Sequence, residues 1–271
     1  MGVAGAERSE TVEAVKVHNR DGASPFVLLC DHASNFVPPA YGTLGLDPFE
    51  LTRHIAWDPG ALPVASMLAD ALDATLVQSC ISRLIVDCNR PLDAPDLFWT
   101  VSESTVIPGN QAIDGAAAAA RIGLAYTPFH EAIDTVVQER LARGQETWLV
   151  SVHSFTPVYN GVARPWQIGI IHDFEERLSA PMIAALRLVE GITVGVNEPY
   201  SPADRVYFTL EKHARSRGLP CAMIEIRNDE ISGEAGQRKW AERLTGILQS
   251  LRVVSAQRQP PEMSRKARSS A

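Results

Sequence analysis

Residues 26–32 read Phe26-Val27-Leu28-Leu29-Cys30-Asp31-His32, an unbroken apolar run of strand length that stops on two ionisable side chains. Such a run, without polar alternation, is the pattern of a strand buried on both faces, as in a parallel sheet covered by helices. The arrangement recurs along the chain. Leu84-Ile85-Val86 leads into Asp87, Leu149-Val150-Ser151-Val152 into His153, and Met223-Ile224 into Glu225. Together with apolar stretches at 75–78 and 167–171, these predict strands over 26–30, 75–78, 84–86, 147–152, 167–171 and 221–226. Helical patterns cover 59–72, 112–143 with a break near 126–128, 174–189, 204–217 and 234–251. Strands alternating with helices predict an α/β fold, its sheet covered on both faces.

The composition agrees with one sizeable core. The 271 residues are 45% apolar and 21% charged, and a chain of this size can bury about three-quarters of its unfolded surface. Lys and Arg number 25 against 32 Asp and Glu, so the net charge of -7 offers no basic field for a nucleic-acid partner. Residues 1–14 carry Glu7, Glu10 and Glu13 instead of an apolar signal core. No stretch approaches the ~20 apolar residues of a membrane span, so a cytoplasmic protein without a membrane partner is expected. Cys30, Cys80, Cys88 and Cys221 form no Cys-x-x-Cys pair, and three of them sit in apolar runs, which predicts buried thiols and no disulfides. The expected organisation is an N-terminal extension over 1–20, a single catalytic domain over 21–254, and a polar, disordered tail over 255–271. Pro- and Gly-rich stretches at 35–46, 92–111 and 191–202 read as site-forming loops.

Parallel strands deliver their carboxyl ends to one edge of a sheet, where ligands bind. Asp31, His32, Asp87, His153 and Glu225 are therefore expected to converge. His32 and His153 supply two nitrogen donors, and a one-metal hydrolytic site needs a third donor while keeping one position open. Asp58, in Trp57-Asp58-Pro59-Gly60-Ala61, is the preferred third ligand, although Asp before a helix with Pro in its first turn reads equally as an N-cap. Asp31 and Asn35 are the alternatives, Asp31 being better suited to orienting an imidazole. Glu225, flanked by Ile224 and Ile226, is the candidate general base; the competing role is an ion pair with Arg227, which strand alternation puts on the same face. Arg83, Asn89 and Arg90 surround Asp87 and suit a carboxylate or a developing oxyanion, unless an arginine is tied to Asp87 as scaffold. Arg164, before Pro165-Trp166, is either an anion ligand or part of a surface loop. His54 falls in a helical pattern and reads as a core or rim residue, His130 and His213 in helical patterns read as surface residues, and His172 follows the strand over 167–171. No Gly-x-Ser-x-Gly elbow, Walker loop or dinucleotide fingerprint occurs.

Five ordered blocks carry a family resemblance: Asp31-His32-Ala33-Ser34-Asn35, Trp57-Asp58-Pro59-Gly60-Ala61, Ser82-Arg83 through Asn89-Arg90-Pro91, His153-Ser154-Phe155-Thr156-Pro157, and Glu225-Ile226-Arg227-Asn228-Asp229. Over about residues 25–250 the chain resembles the N-formylglutamate amidohydrolases, a family similar in fold to zinc carboxypeptidases and aspartoacylases. The resemblance implies a three-layer α/β/α domain with a mixed, mostly parallel central sheet, and one catalytic Zn2+. It implies His32 and His153 as zinc ligands, Glu225 as the catalytic glutamate, and Arg83, Asn89 and Arg90 as binders of carbonyl or carboxylate. One departure stands out: the His-x-x-Glu ligand pair of carboxypeptidases would need Glu at position 35, where this chain has Asn35. The acid then has to come from elsewhere, and Asp58, at the entrance of the helix that follows, stands where that glutamate would open its helix. The expected activity is zinc-dependent hydrolysis of the amide in an N-formyl or N-acyl acidic amino acid. Arg83 would assist catalysis, and Asn89, Arg90, Arg164 and Arg227 would contact this small-molecule substrate. The alternatives are a deacylase or carboxypeptidase-like hydrolase of other N-acyl amino acids or short peptides, and a non-catalytic metal- or ligand-binding protein on the same fold.

Overall fold

The computed structural model describes residues 12–258. Its strands in chain order are β1 (Val15–His18), β2 (Phe26–Cys30), β3 (Thr75–Ser79), β4 (Val101–Ser102), β5 (Thr105–Val106), β6 (Trp148–Phe155), β7 (Val158–Tyr159), β8 (Val162–Ala163), β9 (Ile168–Ile171), β10 (Val194–Val196) and β11 (Cys221–Arg227). The helices are α1 (Ala61–Leu72), α2 (Gly115–Arg121), α3 (Thr127–Ala142), α4 (Ser179–Arg187), α5 (Phe208–His213) and α6 (Glu234–Arg258). Seven strands form one sheet in the order β1-β3-β2-β6-β11-β9-β10, and β4-β5 and β7-β8 are separate hairpins. The four central strands β3, β2, β6 and β11 are mutually parallel, β1 runs antiparallel to β3, and β9 runs antiparallel to β11 while pairing parallel with β10, so the sheet is mixed.

Strand periodicity explains the three layers. In β2, Phe26, Leu28 and Cys30 face the cluster under α1, α4 and α6, while Val27 and Leu29 face the opposite cluster under α3 and α5. Every residue of β2 and β6 is buried, as the unbroken apolar patterns require. A third cluster, containing Leu84, Ile85, Val86 and Tyr126, lies beneath the long loops. All four cysteines are free, and among the described residues no helix is long and apolar enough to cross a membrane.

Four expectations need correction. Residues 84–86 are buried but form a turn, with the Ser82 hydroxyl accepting from the Leu84 backbone amide and the Ile85 amide bonding to the Ser82 carbonyl. Apolar side chains there fill the loop cluster without strand pairing, and the hydroxyl stabilises the turn. The stretch read as an N-terminal extension contributes β1, an edge strand whose Val15-Lys16-Val17-His18 alternation suits one wet face. The loop stretches 92–111 and 191–202 contain β4-β5 and β10. Helix α6 continues to Arg258, so residues 255–258 of the expected tail are helical; residues 259–271, like 1–11, lie outside the described residues. Near 126–128 the expected break is a π-helical turn, Ile122–Tyr126, joining α2 to α3, where Pro128 removes a helix donor.

Candidate metal and catalytic site

The parallel run β2-β6-β11 brings its carboxyl ends to one edge. There Asp31 and His32 follow β2, His153 stands near the end of β6, and Glu225 lies directly opposite His153 in register. The two imidazole centroids are 5.1 Å apart. Asp58 reaches them from the segment before α1: its Oδ2 is 2.8 Å from His153 Nδ1 and 3.4 Å from His32 Nδ1. One donor atom from each of His32, Asp58 and His153 lies within 4.8 Å of the others, and all three residues are buried, so this set could hold a metal ion. Asp58 does not cap α1. That position belongs to Gly60, whose φ of +82° favours glycine and where a Cβ would collide with the Ile231 carbonyl. Asn35 is spent on the Leu51 carbonyl at 2.8 Å.

Both histidines are oriented from behind. His32 Nε2 is 2.7 Å from Asp87 Oδ1; His153 Nε2 is 2.7 Å from Ser151 Oγ and 3.2 Å from Asp31 Oδ2. Asp31 also accepts from the Ser151 and Thr209 hydroxyls. With each Nε2 engaged, both Nδ1 atoms are turned to Asp58, which is how carboxylate partners prepare imidazoles for a cation. Burial favours a neutral Asp58, but the adjacent His32 and His153 hold its carboxyl well below the usual range. The same competition leaves Asp31 lowered to about 2. Glu225 behaves in the opposite sense: burial pushes its carboxyl up to about 7, and its Oε2 is buried without a hydrogen-bond partner. Two imidazole nitrogens, a carboxylate oxygen and a neighbouring unpartnered carboxylate are a donor set that fits a borderline divalent ion with an open position.

These residues line one cavity together with Arg83, Asn89, Arg90 and Trp99. Arg83 is tied to Asp87 at 2.7 Å and approaches Asp58 at 3.4 Å. Arg90 is held by Asp96 at 2.7 Å. Both guanidinium groups lie over Trp99, at 5.7 and 5.5 Å. The Asn89 amide is occupied within the protein, donating to the Val206 carbonyl and accepting from the Thr209 amide at 3.0 Å. Arg164 and Arg227 are not part of the lining. Arg164 stands behind Tyr159 and Tyr200, and Arg227 pairs with Asp229 at 2.7 Å and Glu230 at 3.5 Å instead of Glu225. His172 is carried to the opposite edge because β9 runs antiparallel.

Sequence reasoning passed over His54, Trp99, Tyr159 and Tyr200 as cavity residues. The only signal for them was their placement in or beside Pro- and Gly-rich loops. It also misplaced His130 and His213, which are buried and hydrogen-bonded to each other at 2.8 Å, away from the surface.

Sheet and site together define a three-layer α/β/α protein with a cation-competent cluster at the carboxyl edge of its parallel strands. The family description "N-formylglutamate amidohydrolase" matches residues 24–232. The chain belongs to the N-formylglutamate amidohydrolase family. A gene product of Agrobacterium tumefaciens with a known crystal structure is 42% identical, with a TM-score of 0.89 over 92% of this chain and 98% of that one. An N-formylglutamate amidohydrolase from Ralstonia eutropha shares the fold at 19% identity, with a TM-score of 0.66 over 90% of this chain and 98% of its own. No curated protein matches the chain.

Proposed function

We propose that the protein is a cytoplasmic, zinc-dependent hydrolase that cleaves the linear amide of an N-formyl or N-acyl acidic amino acid in the course of amino-acid degradation. The observation that carries this reading is the unpartnered Glu225 carboxyl opposite His153, beside the His32-Asp58-His153 donor set in one cavity.

His32, Asp58 and His153 would hold the zinc, which supplies Lewis acidity toward a carbonyl and eases the ionisation of water. The chain's own residues do the rest. Asp31 and Asp87 keep the imidazoles in one tautomer and one orientation. Glu225 takes a proton from the attacking water as the new C–O bond forms, then gives it to the departing nitrogen as the C–N bond breaks, releasing a carboxylic acid and a free amino acid. A carboxyl held at about 7 by burial can accept and return a proton near neutrality. Arg83, fixed by Asp87, places positive charge beside the carbonyl oxygen.

The test joins metal analysis to turnover of N-formylglutamate before and after chelation. Glu225→Gln is expected to keep its metal and lose about 100- to 10,000-fold in kcat. Unchanged turnover after full metal removal, or wild-type kcat in Glu225→Gln, would overturn the reading.

A further inference from the structure

The arginines of the cavity wall each have a carboxylate partner within the protein: Arg83 pairs with Asp87 and Arg90 with Asp96. Arg164 is different. Among the described residues it pairs with no carboxylate, and its guanidinium lies between phenol rings, 4.6 Å from the Tyr159 centroid and 4.8 Å from that of Tyr200. Its Nη1 donates to the Tyr200 hydroxyl oxygen at 3.1 Å. That bond uses a lone pair of the phenol, so the phenol's own proton points elsewhere, and no protein acceptor for it is found among the described residues. Tyr200 lines the cavity with Glu225, while Arg164 stays behind the ring.

The backbone explains how Tyr200 arrives there. Gly169 of β9 pairs with Glu225 of β11, and a Cβ at Gly169 or Gly195 would overlap the Glu198 carbonyl oxygen. Without those methyl groups the segment before Tyr200 lies directly on the sheet and brings the phenol to the catalytic edge. Burial, reinforced by the Glu225 charge, pushes the Tyr200 hydroxyl up to about 12, so it remains a donor at working pH. A guanidinium shielded by two rings keeps a field that bulk water screens poorly.

We propose that Tyr200 donates to a free carboxylate of the substrate, and that Arg164 is the positioning residue that fixes this hydroxyl and supplies the uncompensated positive charge behind it. The inference rests on the N-acyl amino acid reading and names the feature of the substrate that is selected. The Asn89 amide, already spent on Val206 and Thr209, leaves that task open.

The experiment titrates glutarate, and separately the neutral glutaramide, into wild-type protein and into the Tyr200→Phe, Arg164→Met and Arg164→Lys variants, and measures KM and kcat for N-formylglutamate. Tyr200→Phe is expected to weaken glutarate about 10-fold and to raise KM by a similar factor, with kcat changed less than KM. Arg164→Met gives a comparable loss, Arg164→Lys restores part of it, and the Tyr200→Phe/Arg164→Met double variant is no worse than either single one. Glutaramide binding is equal in all. A loss shared equally by glutarate and glutaramide, an unchanged KM in Tyr200→Phe, or no glutarate binding by wild-type protein at millimolar concentration would overturn the inference. If wild-type protein binds glutarate in this Tyr200-dependent way yet hydrolyses no N-acyl amino acid, the proposed function fails while the carboxylate site stands. If N-formylglutamate is hydrolysed with a KM indifferent to Tyr200, the reverse holds.

Discussion

Asp87 is buried at the centre of the site without facing the cation position. It lies 2.7 Å from His32 Nε2 and accepts from Arg83 at 2.7 Å, Trp99 Nε1 at 2.9 Å and the Asn89 backbone N–H at 2.9 Å. Despite burial, which favours a neutral carboxyl, Arg83 and His32 hold it well below the usual range. Asp87 therefore sets the direction of His32 while fixing Arg83 and the indole that flanks it. Asp87→Asn is expected to lower metal affinity about 10- to 100-fold, measured by competition with a chromophoric chelator. Glu225→Gln should leave that affinity near the wild-type value, which separates holding the cation from moving the proton. Asp87 and its pairing with an arginine were legible around an apolar run, but its contacts with His32 and Trp99 were not, because the run is a turn whose direction no periodicity encodes.

The contact between α3 and α5 carries a device that the sequence concealed. His130 Nε2 faces the Cys88 carbonyl at 3.0 Å and must carry the proton there, so His130 Nδ1 accepts from His213 Nε2 and His213 Nδ1 is left bare. Burial, together with Lys212, Arg217 and the mutual proximity of the rings, outweighs Asp31 and Asp134 and lowers His130 to about 3 and His213 to about 4. Unfolded histidine titrates near 6.5. Below that value the unfolded chain takes up protons that the native pair refuses, so the stability from this pair is complete above pH 6.5 and is lost as pH falls toward 4. By pH 5.5 the cost is about 1 kcal/mol per histidine. Urea titrations at pH 7.5 and 5.5 should show His213→Gln losing less stability than wild type between the two. Both helices were anticipated, but not that they pack these histidines together, because helical periodicity marks which face is buried and not what lies opposite.

At the scale of the whole molecule, the donor set joins segments far apart in the chain that meet at two neighbouring strands: His32 after β2, Asp58 before α1 and His153 on β6. A cation bound there ties the two layers that meet at the catalytic edge, and it binds the folded chain alone. Zinc at 100 times its dissociation constant is expected to add about 2.7 kcal/mol to unfolding stability and to raise the thermal midpoint by several degrees. Calorimetry with and without chelator checks this, and His153→Gln should abolish the rise.

By itself the sequence determined the α/β class, the parallel heart of the sheet and the convergence of His32, His153 and Glu225, because unbroken apolar runs ending in polar side chains encode both burial and strand direction. It left Asp58 poised between cap and ligand, hid the edge strand β1 and the His130-His213 pair, and marked the loop that carries Tyr200 without showing that this side chain reaches the cavity. Those were decided by tertiary structure alone. Each depends on a contact between segments far apart in the chain, such as Gly60 against Ile231 or Gly169 against Glu198, and a side chain's local pattern carries no record of its distant neighbour.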